Sequence, residues 1–324
     1  MPDDAASKMP VSLHSESLSD RVGPTQSASP ESLAAVFEEY RALLFSIAYR
    51  MLGGTADAED MLQETYLRWR GASATEIQNP RAFLVTVLTR LCINQLQSAR
   101  AKREQYFGQW LPEPLLTAPA ADLPRIPGID GSLSMAFLTL LERLSPTERA
   151  VFLLREVFDY EYNEIAGMVT KSEANCRQIF RRAKQHITES RPRFEVSQQQ
   201  RERLLQQFVD TSLNGNVQEL LALLAKDVVL YTDGGGEATA VPNPIYGAEA
   251  VARFFVGGRK KLLPAGITRR FAEINGQPGV IAYHNGRVFG VLSLEVADGT
   301  VQNIYIVRNP DKLARLPQLP SAPC

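Results

Sequence analysis

Cysteine is scarce in this chain of 324 residues, which has only three. Cys92, Cys176 and Cys324 are odd in number and have no metal-ligand spacing, so they predict neither a disulfide framework nor a metal site. This usage is typical of a protein in a reducing cytoplasm, which is where we expect the chain to act. No nucleotide loop or other cofactor motif accompanies them, and we expect no cofactor.

Long apolar runs are also missing. No segment reaches the roughly 20 residues that a membrane-spanning helix needs, so we expect no contact with a membrane. Residues 1–31 are polar and rich in serine, which predicts a disordered tail rather than a signal peptide or an anchor. The rest of the chain is long enough for two or three domains that each bury a core.

Positive charge is not in excess, because the formal net charge is −1 at pH 7. From Glu31 to Glu195 the chain has 20 lysines and arginines against 21 acidic residues. Neutralisation of phosphates supplies much of the affinity of proteins that bind DNA unaided, so this balance argues against tight binding through a broadly basic surface. Any affinity for DNA must be local and modest, and a partner must supply the rest.

The segment Leu144–His186 has apolar residues at helical spacing and predicts three short amphipathic helices. The start of a helix is indicated by Ser145, Pro146 and Glu148. Ser145 offers a capping hydroxyl, Pro146 lacks an N–H that would have no partner at this position, and Glu148 places an acid in the first turn. Gly167–Ser172 is long enough only for a tight turn. A helix that follows such a turn indicates a helix-turn-helix unit.

The helix after this turn has seven basic residues and two acids between Lys171 and Arg193. It can therefore approach phosphates, while its first turn is the part that usually meets base edges. The predicted DNA contacts are Ser172, Glu173, Asn175, Arg177, Gln178, Arg181 and Arg182. The alternative is a solvated basic helix that packs on its neighbours.

Two earlier stretches also predict helices. The first runs from Ser32 to Arg70 and is interrupted by Gly53 and Gly54, after which Thr55 can cap the second part. An acidic face follows, which is either a binding surface or a solvated helix face; its residues are Asp57, Asp60, Gln63 and Glu64. The next helix begins at Asn79 and has polar and basic residues that hold DNA or form a solvated helix end; they include Asn94, Gln95, Arg100 and Arg103.

Five prolines and no helical period make residues 110–130 a linker. Its first residues, Trp110 and Leu111, are too apolar for a solvated spacer, so we expect this end to dock on another part of the protein.

The C-terminal third predicts helices followed by an antiparallel meander, an α+β domain that could curl into a cone. The predicted helices are Gln198–Leu213, Val217–Leu224 and Ala248–Val256. The predicted strands are Val228–Thr232, Thr268–Ile274, Val280–His284, Arg287–Val296 and Val301–Val307. The predicted turns are Gly276, Pro278-Gly279, Asn285-Gly286 and Asp298-Gly299.

Such a cone could hold an enzyme site, with Tyr231, Asp233, Tyr246 and His284 as polar candidates. Asp233 and His284 could perform acid-base chemistry if they converged. No nucleophile motif or metal spacing accompanies them, and a single histidine on a strand is more often structural. We therefore predict no catalytic residues and no enzyme activity.

Three segments in order resemble one family. Thr55–Trp69 resembles the polymerase-binding helix of region two in bacterial extracytoplasmic-function sigma factors. Asn79–Glu104 resembles the following segment that opens and reads the minus-ten element, and Leu144–His186 resembles region four, which reads the minus-thirty-five element. The sequence WLPEP after region two and the long C-terminal extension resemble the SigJ-like group, which has a SnoaL-like, NTF2-like domain. Thr170 departs from the glycine that is common at this turn.

The resemblance implies a multidomain protein with an all-α sigma region 2 and region 4 followed by an α+β NTF2-like cone. The implied domains are a tail at 1–31, region 2 at 32–109, a linker at 110–131, region 4 at 132–193 and the SnoaL-like domain at 198–316.

The resemblance also assigns roles to residues. Asp57, Asp60, Gln63 and Glu64 become a docking surface for the beta-prime clamp region of core RNA polymerase. Asn79, Asn94, Gln95, Arg100 and Arg103 become contacts to the minus-ten element. The DNA contacts of the helix-turn-helix are assigned to the minus-thirty-five element. The implied regulatory contacts are Trp110, Leu111, Pro112, Asp233, Gly234, Asn309, Asp311 and Lys312.

These assignments predict a promoter-specificity subunit that binds core RNA polymerase and promoter DNA and is regulated in cis by its C-terminal domain. In a sigma factor, core RNA polymerase supplies part of the affinity for promoter DNA. The DNA-contacting helices then need not be strongly basic, which accounts for the near-zero net charge of the chain. Two alternatives stay open: a helix-turn-helix regulator that acts alone, and a DNA-binding module fused to a SnoaL-type enzyme.

Overall fold

The computed structural model of the chain describes residues 30–72, 77–103, 106–117, 133–188 and 196–319. Nearly all of the predicted tail, part of the loop after the second helix and linker residues 118–131 lie outside these ranges. In the described ranges, no helix combines the length and the apolar character that crossing a membrane requires.

The first half of the chain is helical, as predicted. Its helices are α1 (Pro30–Leu52), α2 (Thr55–Gly71), α3 (Pro80–Arg103), α4 (Met135–Leu141), α5 (Pro146–Glu156), α6 (Tyr162–Val169) and α7 (Glu173–Thr188). Ser145 and Glu148 form the predicted capping box at the start of α5. Gly53 ends α1 with a φ of +74°, which suits glycine.

One prediction about these helices is wrong. Thr55 does not cap α2 with its own side chain, because the residue before the helix is Gly54 and Thr55 is the first helical residue. The backbone N–H and the hydroxyl of Thr55 both donate to the carboxylate of Glu113, which lies 58 residues away in the linker. A distant acid therefore supplies the cap.

The turn before α7 is left-handed. Thr170 ends α6 with φ 54° and ψ 52°, a conformation that disfavours β-branched residues. Its N–H donates to the carbonyl of Ala166, and the N–H of Lys171 donates to the same carbonyl, so the turn is closed by backbone bonds. A threonine therefore occupies the strained position where glycine is common.

The two helical units, α1–α3 and α5–α7, share one apolar core. Leu44 and Leu88 from the first unit and Phe152 and Ile165 from the second are almost completely buried in it. The two helical units are thus packed directly on each other rather than held apart by a linker.

The C-terminal part is the predicted α+β domain, and we call residues 198–313 the cone. Its elements are α8 (Gln198–Asn214), α9 (Val217–Leu223), β1 (Leu224–Asp233), β2 (Ile245–Tyr246), α10 (Ala248–Leu262), β3 (Thr268–Ile274), β4 (Gln277–His284), β5 (Arg287–Ala297), β6 (Thr300–Val307) and α11 (Pro310–Leu313). The strand order is β2-β1-β6-β5-β4-β3; β1 and β6 are parallel and the other neighbours antiparallel.

Both faces of this sheet are covered. Alternate residues such as Val280 and Ile304 pack against α8, α9 and α10. Their neighbours Ile281 and Tyr305 face the opposite way and pack against Leu111 of the linker, the start of α4 and the C-terminal segment. The second face therefore joins the sheet to the helical half.

Some details of the domain differ from the sequence prediction. Pro278 and Gly279 are part of β4, and the turn before it is formed by Asn275 and Gly276. A Cβ on Gly279 would lie 2.8 Å from Cγ1 of Ile274 on the neighbouring strand β3, so this glycine leaves room for the Ile274 side chain within the sheet and does not form a turn. The short β2 was not predicted, and α10 extends past Val256 to Leu262.

Candidate DNA and polymerase surfaces and the interface that holds them

Helix α7 presents its predicted DNA contacts to solvent. Cys176, Ala183 and Ile187 are buried against the other helices. Of the seven predicted contacts, Asn175 is half-buried and the other six are exposed. The Ser172 hydroxyl accepts the N–H of Asn175 at 3.3 Å, so Ser172 caps the helix at the same time.

The basic side chains of α7 are not equally available. Arg177 pairs with Glu173 and its guanidinium lies 4.6 Å from the centre of the Tyr162 ring. Lys184 pairs with Glu156 at 3.0 Å. In the described ranges, neither Arg181 nor Arg182 forms an ion pair, so these two guanidiniums are the ones best placed to meet phosphate or a base edge.

The predicted polymerase surface lies on α2. Asp60 and Gln63 are exposed, whereas Asp57 and Glu64 are half-buried. Glu64 pairs with Arg68 at 2.9 Å. Asp57 contacts one of the predicted minus-ten residues of α3: the side-chain amide of Gln95 donates to the Asp57 carboxylate at 3.5 Å.

The other predicted minus-ten residues lie along α3. Asn79 accepts the N–H of Ala82 at 3.0 Å and caps the helix. Asn94 is exposed one helical position from Gln95. Arg100 and Arg103 belong to α3, but their side chains lie outside the described part of the structure.

A contact missed by sequence reasoning ties α3 to the helix-turn-helix. Arg90 donates to the carbonyls of Met168 and Gly167, at 3.0 and 2.7 Å, at the C-terminal end of α6. A cation at this end of a helix meets both unpaired carbonyls and the negative end of the helix dipole. Helix α3 therefore contacts the turn that precedes α7.

A second missed residue, Arg149 of α5, is buried and donates to the carbonyl of Met51 at 2.6 Å and to Glu142 at 2.8 Å. Neither arginine has a sequence signal, because each looks like an ordinary charged position on an amphipathic helix.

The predicted regulatory residues converge on Asp233, whose carboxylate is completely buried at the end of β1. One carboxylate oxygen accepts the Tyr106 hydroxyl at 2.6 Å and the Gly235 N–H at 3.0 Å. The other accepts the Leu111 N–H at 2.8 Å and the Lys312 ammonium at 2.6 Å. We call Tyr106, Trp110, Leu111, Asp233, Asn309 and Lys312 the hub.

Lys312 and Asn309 hold the linker from the other side of the hub. The Lys312 ammonium donates to the carbonyl of Leu111 at 2.5 Å and lies 4.1 Å from the centre of the Trp110 ring. The Asn309 amide donates to the Tyr106 hydroxyl at 2.8 Å. Burial, and next the adjacent Asp233, raise the pKa of the Tyr106 phenol, so it stays a donor at neutral pH.

Three other predicted regulatory residues support the hub. Gly234 starts the loop after β1, where a Cβ would lie 2.2 Å from the carbonyl oxygen of Ala238. Asp311 donates its N–H to the Asn309 side chain at 3.0 Å. Pro112 is buried beside Gly53.

The linker also reaches region two. A Cβ on Gly53 would lie 2.6 Å from the Trp110 ring, so the ring packs directly on the turn between α1 and α2. Tyr49 donates to the carbonyl of Glu113 at 2.7 Å and accepts the amide of Asn275, from the β3–β4 turn, at 2.6 Å. Linker residues 110–115 are therefore bonded to region two on one side and to the cone on the other.

The C-terminal segment also approaches the predicted polymerase surface. Arg315 pairs with Glu59 of α2 at 2.7 Å, and the nearby acids Glu113 and Asp60 add to the pull of Glu59 in raising the pKa of its guanidinium. The segment after the cone thus lies beside the acidic face of α2.

Comparison with known proteins places these elements in a family. The family models Sigma-70 region 2 and Sigma-70, region 4 match residues 36–102 and 134–187. The chain is 32% identical over 293 residues to the extracytoplasmic-function sigma factor SigJ of Mycobacterium tuberculosis, covering 87% of this chain and 93% of SigJ.

Two further similarities extend over the same length. The probable sigma factor SigI of Mycobacterium tuberculosis is 31% identical, with 87% of this chain and 95% of SigI covered. The crystal structure of SigJ superposes with a TM-score of 0.71 at 31% identity, covering 87% of this chain and 98% of SigJ. The chain therefore belongs to the extracytoplasmic-function RNA polymerase sigma factors.

Proposed function

We propose that the structure is the closed, resting state of a sigma factor that its own C-terminal domain restrains. In the open state, the acidic face of α2 docks on the beta-prime clamp region of core RNA polymerase in the cytoplasm. Helix α3 then meets the minus-ten element and α7 the minus-thirty-five element. The exposure of Asp60 and Gln63 on α2 and of Arg181 and Arg182 on α7 supports this division of roles.

The observation that carries the proposal is the contact between α3 and α6. Arg90 touches Gly167, close to the start of α7, so the two DNA-reading helices are adjacent. Promoter elements centred near −10 and −35 are roughly 25 base pairs apart, or about 85 Å of duplex at ~3.4 Å per pair. Adjacent helices cannot span that distance, so the units must separate before both elements are read.

The C-terminal domain stabilises the closed state because it holds parts that belong to both units. Its sheet buries Met135 and Ala136, the first residues of α4, together with Leu111 of the linker. The hub fixes the linker to the cone, and Glu113 fixes the linker to region two. Separation of the two units therefore requires that the cone release either the linker or α4.

In this proposal the cone regulates and does not catalyse. Asp233 is fully buried and already accepts four hydrogen bonds. In the sheet, Asp233 of β1 is aligned with Ile281 of β4, which lies three strands away, or about 14 Å. His284 lies three residues beyond Ile281 along β4 and is therefore still further from Asp233. Tyr231 stacks on Tyr305 and Tyr246 is exposed, so these candidates do not converge.

Fluorescence energy transfer in the full chain tests the opening. Dyes on cysteines at Gln97 of α3 and Gln185 of α7, both exposed, report the distance between the units; Cys324 is replaced by serine, and the other two cysteines are buried. We expect high transfer in the free protein and a large loss when core polymerase and promoter are added. A control pair at Glu39 and Gln97, inside region two, should keep its transfer.

Two results would contradict the proposal. High transfer from the Gln97 and Gln185 pair in an initiating complex would show that the units do not separate. Tight binding of promoter duplex by the free protein, measured by gel shift without polymerase, would instead favour a regulator that acts alone.

A further inference from the structure

The cone contains an apolar cavity that takes no part in the interface. Its volume is about 170 Å³, slightly larger than the ~150 Å³ cavity that accepts benzene. Aromatic and aliphatic side chains from α8, α10 and the sheet form most of the wall; they include Phe208, Phe254, Phe255, Leu292 and Ile306. A cavity with this lining favours an apolar guest over water.

Two residues of this wall have a polar atom without a hydrogen-bond partner. Ser212 Oγ and Arg308 Nε are buried, and in the described structure neither has a hydrogen-bond partner. Buried polar atoms usually have a partner, because an unpaired one loses the free energy of its bond to water. Both line the cavity, so a guest with a hydrogen-bond acceptor would satisfy them.

The charged side chains of the wall indicate that the acceptor group of the guest is negatively charged. Among the described residues of the lining, Arg269 and Arg308 are the charged ones and none is acidic. The Arg308 guanidinium lies 4.1 Å from the centre of the Phe289 ring and donates to the carbonyl of Thr239 at 2.8 Å, which leaves its Nε for a ligand. Burial lowers the pKa of Arg308, and a bound anion would offset that cost.

Two residues that line the cavity are followed directly in the chain by residues of the hub. Thr232 lines the cavity and precedes Asp233; Arg308 lines it and precedes Asn309. The N–H groups of Arg308 and Asn309 both donate to the carbonyl of Asp233, at 2.7 and 3.0 Å. A guest that moves Arg308 therefore moves the backbone that positions two hub side chains.

We propose that the cone binds a monocarboxylic acid with a compact apolar body, and that its carboxylate engages Arg308 and loosens the hub. The apolar body occupies the aromatic part of the cavity, and Ser212 is the second donor to the carboxylate. The effect on the hub rests on the proposed function, whereas the binding site does not.

Calorimetric titration of the full chain with octanoate tests the site, with octanol as the neutral analogue. We expect octanoate to bind at least tenfold more tightly than octanol, because a hydrogen bond to a charged group is stronger than a neutral one. Arg308→Met should weaken octanoate binding about tenfold or more and leave octanol binding nearly unchanged.

A second variant tests the location without touching the hub. Ala282 lines the cavity, so Ala282→Leu fills part of it and should abolish binding of both compounds. The matched control is Ala265→Leu, at an exposed position outside the lining, which should bind like the wild type. Absence of binding, or octanoate binding that survives Ala282→Leu, would overturn the site.

The coupling has its own readout. Trp110 lies in the hub and Trp69 in the core of region two, and these are the two tryptophans of the chain. Octanoate should change the emission of Trp110 as the Lys312 ammonium leaves its ring, and should increase the association with core polymerase. Octanoate binding without either change would disprove the coupling. The restraint by the hub is tested separately and without octanoate: it would be disproved if a folded Asp233→Asn protein bound core polymerase no better than the wild type.

Discussion

Replacement of Asp233 by asparagine removes the central charge of the hub and keeps the size of the side chain. The carboxylate accepts four hydrogen bonds, and the Lys312 side chain that faces it is only 12% exposed. An amide cannot accept at both positions, so the two donors that share one carboxylate oxygen are left facing an NH₂ group, and Lys312 loses its counter-ion. Loss of one partner of a buried ion pair costs about 3–5 kcal/mol.

The lower end of this range applies, because Lys312 keeps the Leu111 carbonyl and the Trp110 ring as partners. A loss of about 3 kcal/mol shifts the equilibrium between closed and open forms by roughly 100-fold, at ~1.4 kcal/mol per factor of ten. If only the open form binds polymerase, the apparent affinity rises by the same factor until the open form dominates.

The assay is the apparent Kd of the purified full chain for core polymerase, measured by fluorescence anisotropy. Asp298→Asn is the matched control, because Asp298 occupies an exposed hairpin turn where asparagine is equally suited to the positive φ of 51°. An Asp233→Asn protein that is folded and binds polymerase no better than wild type would refute the restraint. Equal tightening in both variants would show a nonspecific effect.

Three further predictions concern the helix-turn-helix. Thr170→Gly removes a β-branched residue from a left-handed position and should raise the free energy of unfolding in urea by about 1 kcal/mol; a decrease would show that the turn is unstrained. Arg181→Ala should weaken promoter binding by the polymerase complex about tenfold in a gel shift, and Arg177→Ala less, because Arg177 is paired with Glu173; the opposite ranking would contradict the assignment. Burial alone would raise the pKa of the Glu148 carboxylate, but the hydrogen bonds that Ser145 donates to it outweigh burial and lower this pKa. Its stabilising effect is therefore complete above the unfolded pKa of ~4.3 and is lost as the pH falls through the folded value, so Glu148→Gln should reduce the loss of stability in urea between pH 6 and pH 3.

Local signals in the sequence were sufficient for most of the fold. Ser145 and Glu148 start α5 because a capping box needs only neighbouring residues. Asn285 and Asp298 mark hairpins because their left-handed backbone is a property of the turn itself. Each of these elements is decided within about four residues, which is the range that periodicity and capping describe.

The interface could be predicted only in part. Trp110 and Leu111 were expected to dock because apolar residues in a linker need cover, and the resemblance supplied Asp233 and Lys312. Glu113 as the cap of α2 had no local signal, since its partner is 58 residues away. Gly279 was predicted to form a turn because the sequence does not show that the Ile274 side chain of the neighbouring strand occupies the space beside it.

The core that α1–α3 share with α5–α7 also affects solubility. Once the two units part, apolar side chains that now face each other are exposed to water, and large patches of this kind promote aggregation. An open molecule that meets no polymerase is therefore short-lived in a crowded cell, either reclosing or being lost to precipitation and proteolysis. The closed state proposed above would thus keep an idle pool of the protein intact until polymerase is free to bind it.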